Sequence, residues 1–79
     1  MRVYVKLFGV FRRHHPCSSE KPSFWLEIEN EAMIEDLFTL LGIPGDLPNV
    51  IICNHRIARK EDILQNGAVV AIFPPMGGG

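Results

Sequence analysis

The residues with the clearest chemical potential are the last six, Pro74-Pro75-Met76-Gly77-Gly78-Gly79, which present the free carboxylate of Gly79 as a working group. Two consecutive prolines remove two backbone donors and favour polyproline II, so sheet pairing stops at Phe73 and a stiff, extended segment leaves the domain. The glycines that follow carry no Cβ, which lets the backbone pass a narrow channel and lie against a partner's catalytic groups, at an entropic cost when it is ordered there. Six residues at about 3.1–3.5 Å each reach roughly 20 Å, enough to enter another protein's pocket. A bare Gly-Gly-Gly end describes an inert tail equally well. The Phe-Pro-Pro stiffener leading out of an apolar strand favours the functional reading.

Other chemistry-bearing side chains are His14, His15 and Cys17 in one segment and Cys53 and His55 in another. No pair has the regular spacing of a structural zinc site, and the two groups fall in different loops, so no metal site is expected. Nucleophilic catalysis by Cys17 with His14 or His15 would need an enclosed pocket and an orienting third group, and neither is evident. The plain alternative is a solvated His-His loop and a Cys53 packed as a small hydrophobe. Neither C-x-x-C spacing nor a disulfide framework is present, and both thiols are expected to be reduced.

The elements that must position the tail fit within one domain, since 79 residues cannot support two hydrophobic cores. With 47% hydrophobic and 22% charged residues and a mean hydropathy of +0.12, the chain reads as a well-packed soluble domain. A formal charge of −1 supplies no general field for nucleic acid or an anionic membrane surface. The opening Met1-Arg2-Val3-Tyr4-Val5-Lys6 lacks the apolar core of a signal peptide. No membrane-spanning run is present, and the expected location is cytoplasmic.

Residues 2–8 alternate, with Val3, Val5 and Leu7 on one side and Tyr4, Lys6 and Phe8 on the other, which predicts a first strand. The breaker-rich segment Arg12 to Pro22 reads as a long loop. Phe24, Leu26 and Ile28 alternate with Trp25, Glu27 and Glu29 in a second strand, antiparallel to the first. Asn30 suits an N-cap and Glu31 the positive end of a helix dipole, while Ile34, Leu37, Phe38 and Leu41 share one helical face. A helix of about three turns is expected, closed by Gly42 at C′, Ile43 as its apolar contact and Pro44.

Asn49 to Cys53 and Arg56 to Ala58 predict two short strands joined at Asn54-His55. Lys60 to Leu64 predicts one helical turn, Asn66-Gly67 a turn, and Ala68 to Phe73 a last strand in the middle of the sheet. This order predicts an α+β, β-grasp (ubiquitin-like) fold, a mixed sheet of four to five strands with one main helix across one face. Residues 1–73 form the domain and 74–79 a flexible tail.

The segment Ala71-Ile72-Phe73-Pro74-Pro75-Met76-Gly77-Gly78-Gly79, preceded by Asn66-Gly67, resembles the end of the sulfur-carrier family that includes the molybdopterin synthase small subunit and the thiamin-pathway sulfur carrier. Val5-Lys6-Leu7-Phe8 and Leu41-Gly42-Ile43-Pro44 also resemble recurring family segments, and the Phe-Pro-Pro element favours the molybdopterin branch. The resemblance implies that an E1-like adenylating enzyme activates Gly79 with ATP, and that a separate sulfur donor system converts it to a thiocarboxylate. The molybdopterin synthase large subunit would then receive the tail and supply the catalytic residues for making the dithiolene. This chain would be a co-substrate, with no cofactor or metal bound to it, and Gly78 would thread the channel. Three terminal glycines where the family requires two, an apolar Met76 and the lengthened loop are departures. Thiamin synthesis, another thiolation pathway and protein modification through Gly79 are the alternatives.

Parity also predicts a docking face. If Val3, Val5 and Leu7 face the helix, then Tyr4, Phe8 and Trp25 lie on the open face, joined by Phe73 when Val70 and Ile72 point inward. Aromatic anchors in a contiguous exposed patch suit a partner interface beside Pro74, Pro75, Met76 and Gly77. Phe8 and Phe73 match partner-contacting positions in the family that the chain resembles. Lys6, Arg12 and Arg13 could steer acidic partners.

Overall fold

A computed structural model describes residues 1–16, 21 and 23–75 of the chain. Alternation of apolar side chains gives β1 (Arg2–Leu7) and β2 (Ser23–Glu27), which pair antiparallel with Val3 opposite Leu26 and Tyr4 opposite Trp25. After α1 (Ile34–Leu41) come β3 (Val50–Cys53), β4 (Arg56–Ala58) and β5 (Val69–Phe73). The five strands form one mixed sheet in the order β2-β1-β5-β3-β4. As its nearly continuous apolar run requires, β5 is central, parallel to β1 and antiparallel to β3.

Val3, Val5, Leu7, Val70 and Ile72 are fully buried on the face that meets Ile34, Leu37 and Phe38 of α1. The helix end expected from the sequence is present. Gly42 takes the left-handed conformation at φ 70°, its N–H reaching Thr39 O at 3.2 Å, while the Ile43 N–H reaches back to Phe38 O at 2.9 Å. The turn expected at Asn54-His55 closes a two-residue β3–β4 hairpin, with both residues at positive φ.

The start of the helix differs from expectation. Asn30 is not its N-cap, and α1 has eight residues, preceded by Met33 in extended conformation. Glu31 sits at φ 66°, which a continuous helix from Asn30 cannot contain, and Met33 is held in a β-bridge with Ile63. The Asn30 side-chain oxygen instead accepts from the Met1 ammonium at 3.3 Å.

Lys60 to Leu64 is also not a helical turn. The Arg59 N–H donates to Asp62 Oδ2 at 2.9 Å, and the Asp62 N–H donates to Arg59 O at 3.0 Å. This tight turn aims Lys60 O and Asp62 O at the N–H groups of Glu35 and Ile34, at 2.9 and 3.0 Å. A distant loop thus satisfies first-turn donors that a local cap would otherwise serve. The Asp36 carboxylate accepts from the Met33 N–H at 2.8 Å and adds charge at the favourable end of the dipole.

The largest departure follows β1. Gly9–His14 forms a 3₁₀ helix where breakers from Arg12 onward suggested only loop, and it buries Phe11 completely. His14 and His15 are not simply solvated. His14 Nδ1 lies 3.2 Å from Leu41 O, and the buried His15 ring meets Phe24 edge-on, with centroids 4.4 Å apart. Of the loop residues named above, Cys17 and Pro22 lie outside the described residues.

Replacing Phe11 by Ala removes a ring from the core and should destabilise the domain by about 3–5 kcal/mol, a large part of the roughly 5–15 kcal/mol available to a small domain. Urea unfolding followed by Trp25 fluorescence checks this, and a loss below about 1 kcal/mol would mean that the ring is not core.

Candidate functional site

The open side of the sheet is ordered by strand register into three transverse rows. One row runs Trp25, Tyr4, Val69. The next runs Ser23, Lys6, Ala71, Ile52, Ile57. The third brings Phe8 onto Phe73, with Val50 opposite the latter.

All four aromatics predicted for this face are on it, but they do not form one exposed cluster. Phe8 and Phe73 stack with centroids 4.5 Å apart and planes 3° from parallel. Tyr4 and Trp25 form a separate tilted pair at 4.9 Å. Each pair covers part of its own surface, so Tyr4, Phe8 and Phe73 are half-buried, whereas Trp25 is 52% exposed with the Arg2 guanidinium 4.8 Å from its ring centroid. Tyr4 Oη donates to Ser23 Oγ at 2.9 Å, which fixes the ring across the β1–β2 pair.

Between the pairs is a hollow. Its low point is Ala71, a small residue in the central strand, with Val69, Phe73, Phe8 and Ile52 as walls and Lys6 and His55 supplying the polar rim. The contributions of Ile52, Val69, Ala71 and His55 were not predicted. Val69 and Ala71 share the parity assigned to Phe73, whereas Ile52 joins them only through the register of β3 beside β5, and His55 through the β3–β4 hairpin. Ile57, next to Ile52 on the edge strand, extends the apolar surface and is 82% exposed.

The Phe8–Phe73 stack stands where the tail leaves the sheet. The Phe8 N–H donates to Ile72 O at 3.0 Å in the last link between β1 and the end of β5. One residue later Gly9 takes φ 58°, and a Cβ built there would lie 2.7 Å from Pro74 Cγ. Gly9 therefore turns the chain into the 3₁₀ helix and offers bare backbone as the seat of the first tail proline. A glycine that interrupts an alternating strand is a visible signal in the sequence, but its contact with a residue 65 positions on is not. Pro74 is half-buried and Pro75 exposed. Met76, Gly77, Gly78 and Gly79 lie outside the described residues.

Cys53 and His55 belong to different surfaces. The Cys53 side chain packs against the core, and burial, followed by the negative charge of Asp62, pushes its thiol above the usual range, keeping it protonated near neutral pH. His55 sits at the rim of the hollow. Among the described residues, no three side chains of metal-ligating type converge. Of the predicted steering cations, Lys6 is on the open face, while Arg13 lines a separate hollow with Val10, His14, Pro44 and Leu47. No helix among the described residues is long and apolar enough to cross a membrane.

A mixed five-stranded sheet crossed by one helix, with the carboxyl end leaving beside the first strand, defines a small ubiquitin-like protein of the β-grasp class. The model of the ThiS family matches residues 5–79, and the chain belongs to that family. Among solved structures, SAMP1 from Haloferax volcanii superposes with a TM-score of 0.74 at 17% identity over 100% of both chains. The HVO 2177 protein of Haloferax volcanii gives 0.76 at 24% identity, covering 100% of this chain and 87% of that one. A complex of subunits 1 and 2 of the molybdopterin-converting factor from Helicobacter pylori contains a chain matching at 0.64 and 21% identity over 100% of both. At these identities the likeness is one of fold. No curated protein sequence matches the chain.

The Gly9 seat can be tested by a double-mutant cycle. Gly9→Ala should cost about 1–3 kcal/mol through its left-handed backbone and the clash with Pro74. Adding Pro74→Ala, which removes Cγ and Cδ, should recover part of that loss in urea unfolding. Strict additivity would mean that the proline does not rest on Gly9.

Proposed function

We propose that the chain is a sulfur carrier whose working group is the carboxylate of Gly79. The observation that carries this reading is the built exit of the tail: Phe73 is stacked on Phe8, Pro74 is seated on Gly9, and Pro75 is exposed. A rigid departure point beside an aromatic surface lets a partner grip the domain while the terminal residues reach its catalytic centre. Family membership supports the same reading.

In the proposed chemistry an E1-like enzyme joins the Gly79 carboxylate to the α-phosphorus of ATP, and pyrophosphate leaves. A hydrosulfide equivalent from a sulfur donor system attacks the resulting acyl adenylate. A carbon–sulfur bond forms, the carbon–oxygen bond to AMP breaks, and the product is a thiocarboxylate. No redox change is required when sulfur arrives at the hydrosulfide level. The thiocarboxylate sulfur then displaces a leaving group from a carbon of the acceptor to give an acyl thioester, and hydrolysis of its acyl–sulfur bond leaves the thiol on the acceptor and restores the Gly79 carboxylate.

Dithiolene formation in molybdopterin synthesis is the proposed destination, on the strength of the Phe73-Pro74-Pro75 element. The Helicobacter pylori neighbour is a complex of two subunits. The proposed counterpart here is a large synthase subunit that receives Gly77, Gly78 and Gly79 while Phe8, Phe73, Tyr4 and Trp25 contact its surface. Pro74, Pro75 and Met76 bridge the two regions.

Incubating the chain with ATP, sulfide and an E1-like enzyme and then measuring its intact mass tests the carrier reading. The expected result is a mass gain equal to sulfur replacing oxygen, abolished without loss of folding by deletion of both Gly78 and Gly79, which leaves no diglycine end. Higher-mass conjugates on lysine would instead identify a protein modifier. An unchanged mass with several competent enzymes would defeat both.

A further inference from the structure

The overall charge of −1 does not describe the local charge of the open side of the sheet. Register assigns Arg2, Lys6 and Trp25 to the open side, where the one acidic strand residue is Glu27, opposite Arg2 at the end remote from the Phe8–Phe73 stack. Glu35 and Asp36 belong to the helix, and Glu61 and Asp62 to the turn that caps it. The hollow over Ala71 therefore has apolar walls and a rim made by the Lys6 ammonium and the His55 imidazole, without a carboxylate among its lining residues. His55 has an N–H to donate in either protonation state, and the ammonium has three.

We propose that this hollow takes a partner segment presenting one aliphatic or aromatic side chain flanked by carboxylates. The apolar side chain enters over Ala71 between Phe73 and Ile52, and the flanking carboxylates meet Lys6 and His55. Exposed Ile57 prolongs the apolar contact towards β4. The argument for this occupant is complementarity. An apolar anchor removes the walls from water, while a rim of donors leaves a cationic partner with an unfavourable contact and a neutral one with nothing to neutralise Lys6. The inference rests on the reading of this face as the docking surface and specifies the chemistry of what docks.

Two acetylated, amidated peptides test it, one with Leu at the centre of a Glu-rich sequence and one with Lys at every Glu position. Each is titrated into the ¹⁵N-labelled full chain at low salt. The expected result is that the Glu-flanked peptide selectively shifts the amides of Lys6, Phe8, His55, Ala71 and Phe73, and that its affinity falls as salt is added. Lys6→Gln should weaken it by about fivefold, and Lys6→Glu should weaken it further. Ala71→Leu, which fills the hollow without removing a charge, should block it.

Equal binding of the two peptides, binding by neither, or indifference to the Lys6 and Ala71 substitutions would overturn the proposal. Concentration-dependent shifts of the same amides without peptide would assign the hollow to a second copy of the chain and overturn it too. The titration uses neither ATP nor an activating enzyme, so its outcome is independent of the thiocarboxylate test.

Discussion

The parallel pairing of β1 with β5 brings residues more than sixty positions apart into one ladder, from Tyr4 opposite Val69 to Leu7 opposite Ile72. Its ends are marked by the Tyr4 N–H to Ala68 O bond at 2.8 Å and the Phe8 N–H to Ile72 O bond at 3.0 Å. Parallel strands cannot be joined by a tight turn, so the intervening chain must cross over the sheet, and α1 is the element that does so. The same ladder places Val3, Val5 and Leu7 beside Val70 and Ile72 to make the centre of the core. It also makes both central strands end on the same side, where Phe8 meets Phe73 and Gly9 meets Pro74. Core and tail exit are consequences of one pairing.

Under the proposed function, that geometry separates two tasks with conflicting demands. A terminal segment that must enter another protein needs freedom and a small cross-section, which glycine provides at an entropic cost. A surface that must be recognised needs fixed side chains. The prolines lie at the boundary: Pro74 rests on the domain and Pro75 is in solvent.

The sheet also changes the electrostatic picture obtained from composition. Nearly balanced charges cancel when counted over the chain, but binding is governed by the field at one surface. The hollow on the open side is lined by Lys6 and His55 without a carboxylate, a local sign that a nearly neutral total does not show. Lys6 was recognisable as a steering charge. His55 gained its place only through the hairpin that carries it to the rim of the hollow.

Much of the fold was legible because it is encoded locally. Alternation in residues 2–8 identifies β1 and its two faces, the helical spacing of Ile34, Leu37, Phe38 and Leu41 identifies the buried side of α1, and Gly42-Ile43-Pro44 ends it. The apolar run ending at Phe73 is central, with Val70 and Ile72 in the core and Val69 and Phe73 half-buried on the open face, so neither side of it is polar.

The tertiary structure decided what depends on contacts between distant residues. Asn30 has the right chemistry for a cap, yet the Lys60–Asp62 carbonyls serve the helix, because the bridge of Met33 to Ile63 brings that loop to its end. Phe11 is core because the 3₁₀ helix folds it inward, and Gly9 matters because Pro74 arrives beside it. Ala71 becomes the floor of a hollow only when Lys6, Ile52 and Phe73 stand around it. Periodicity and turn chemistry act over a few residues and can be read along the chain, whereas a seat, a cap from afar or a local charge exists only after folding has brought its parts together.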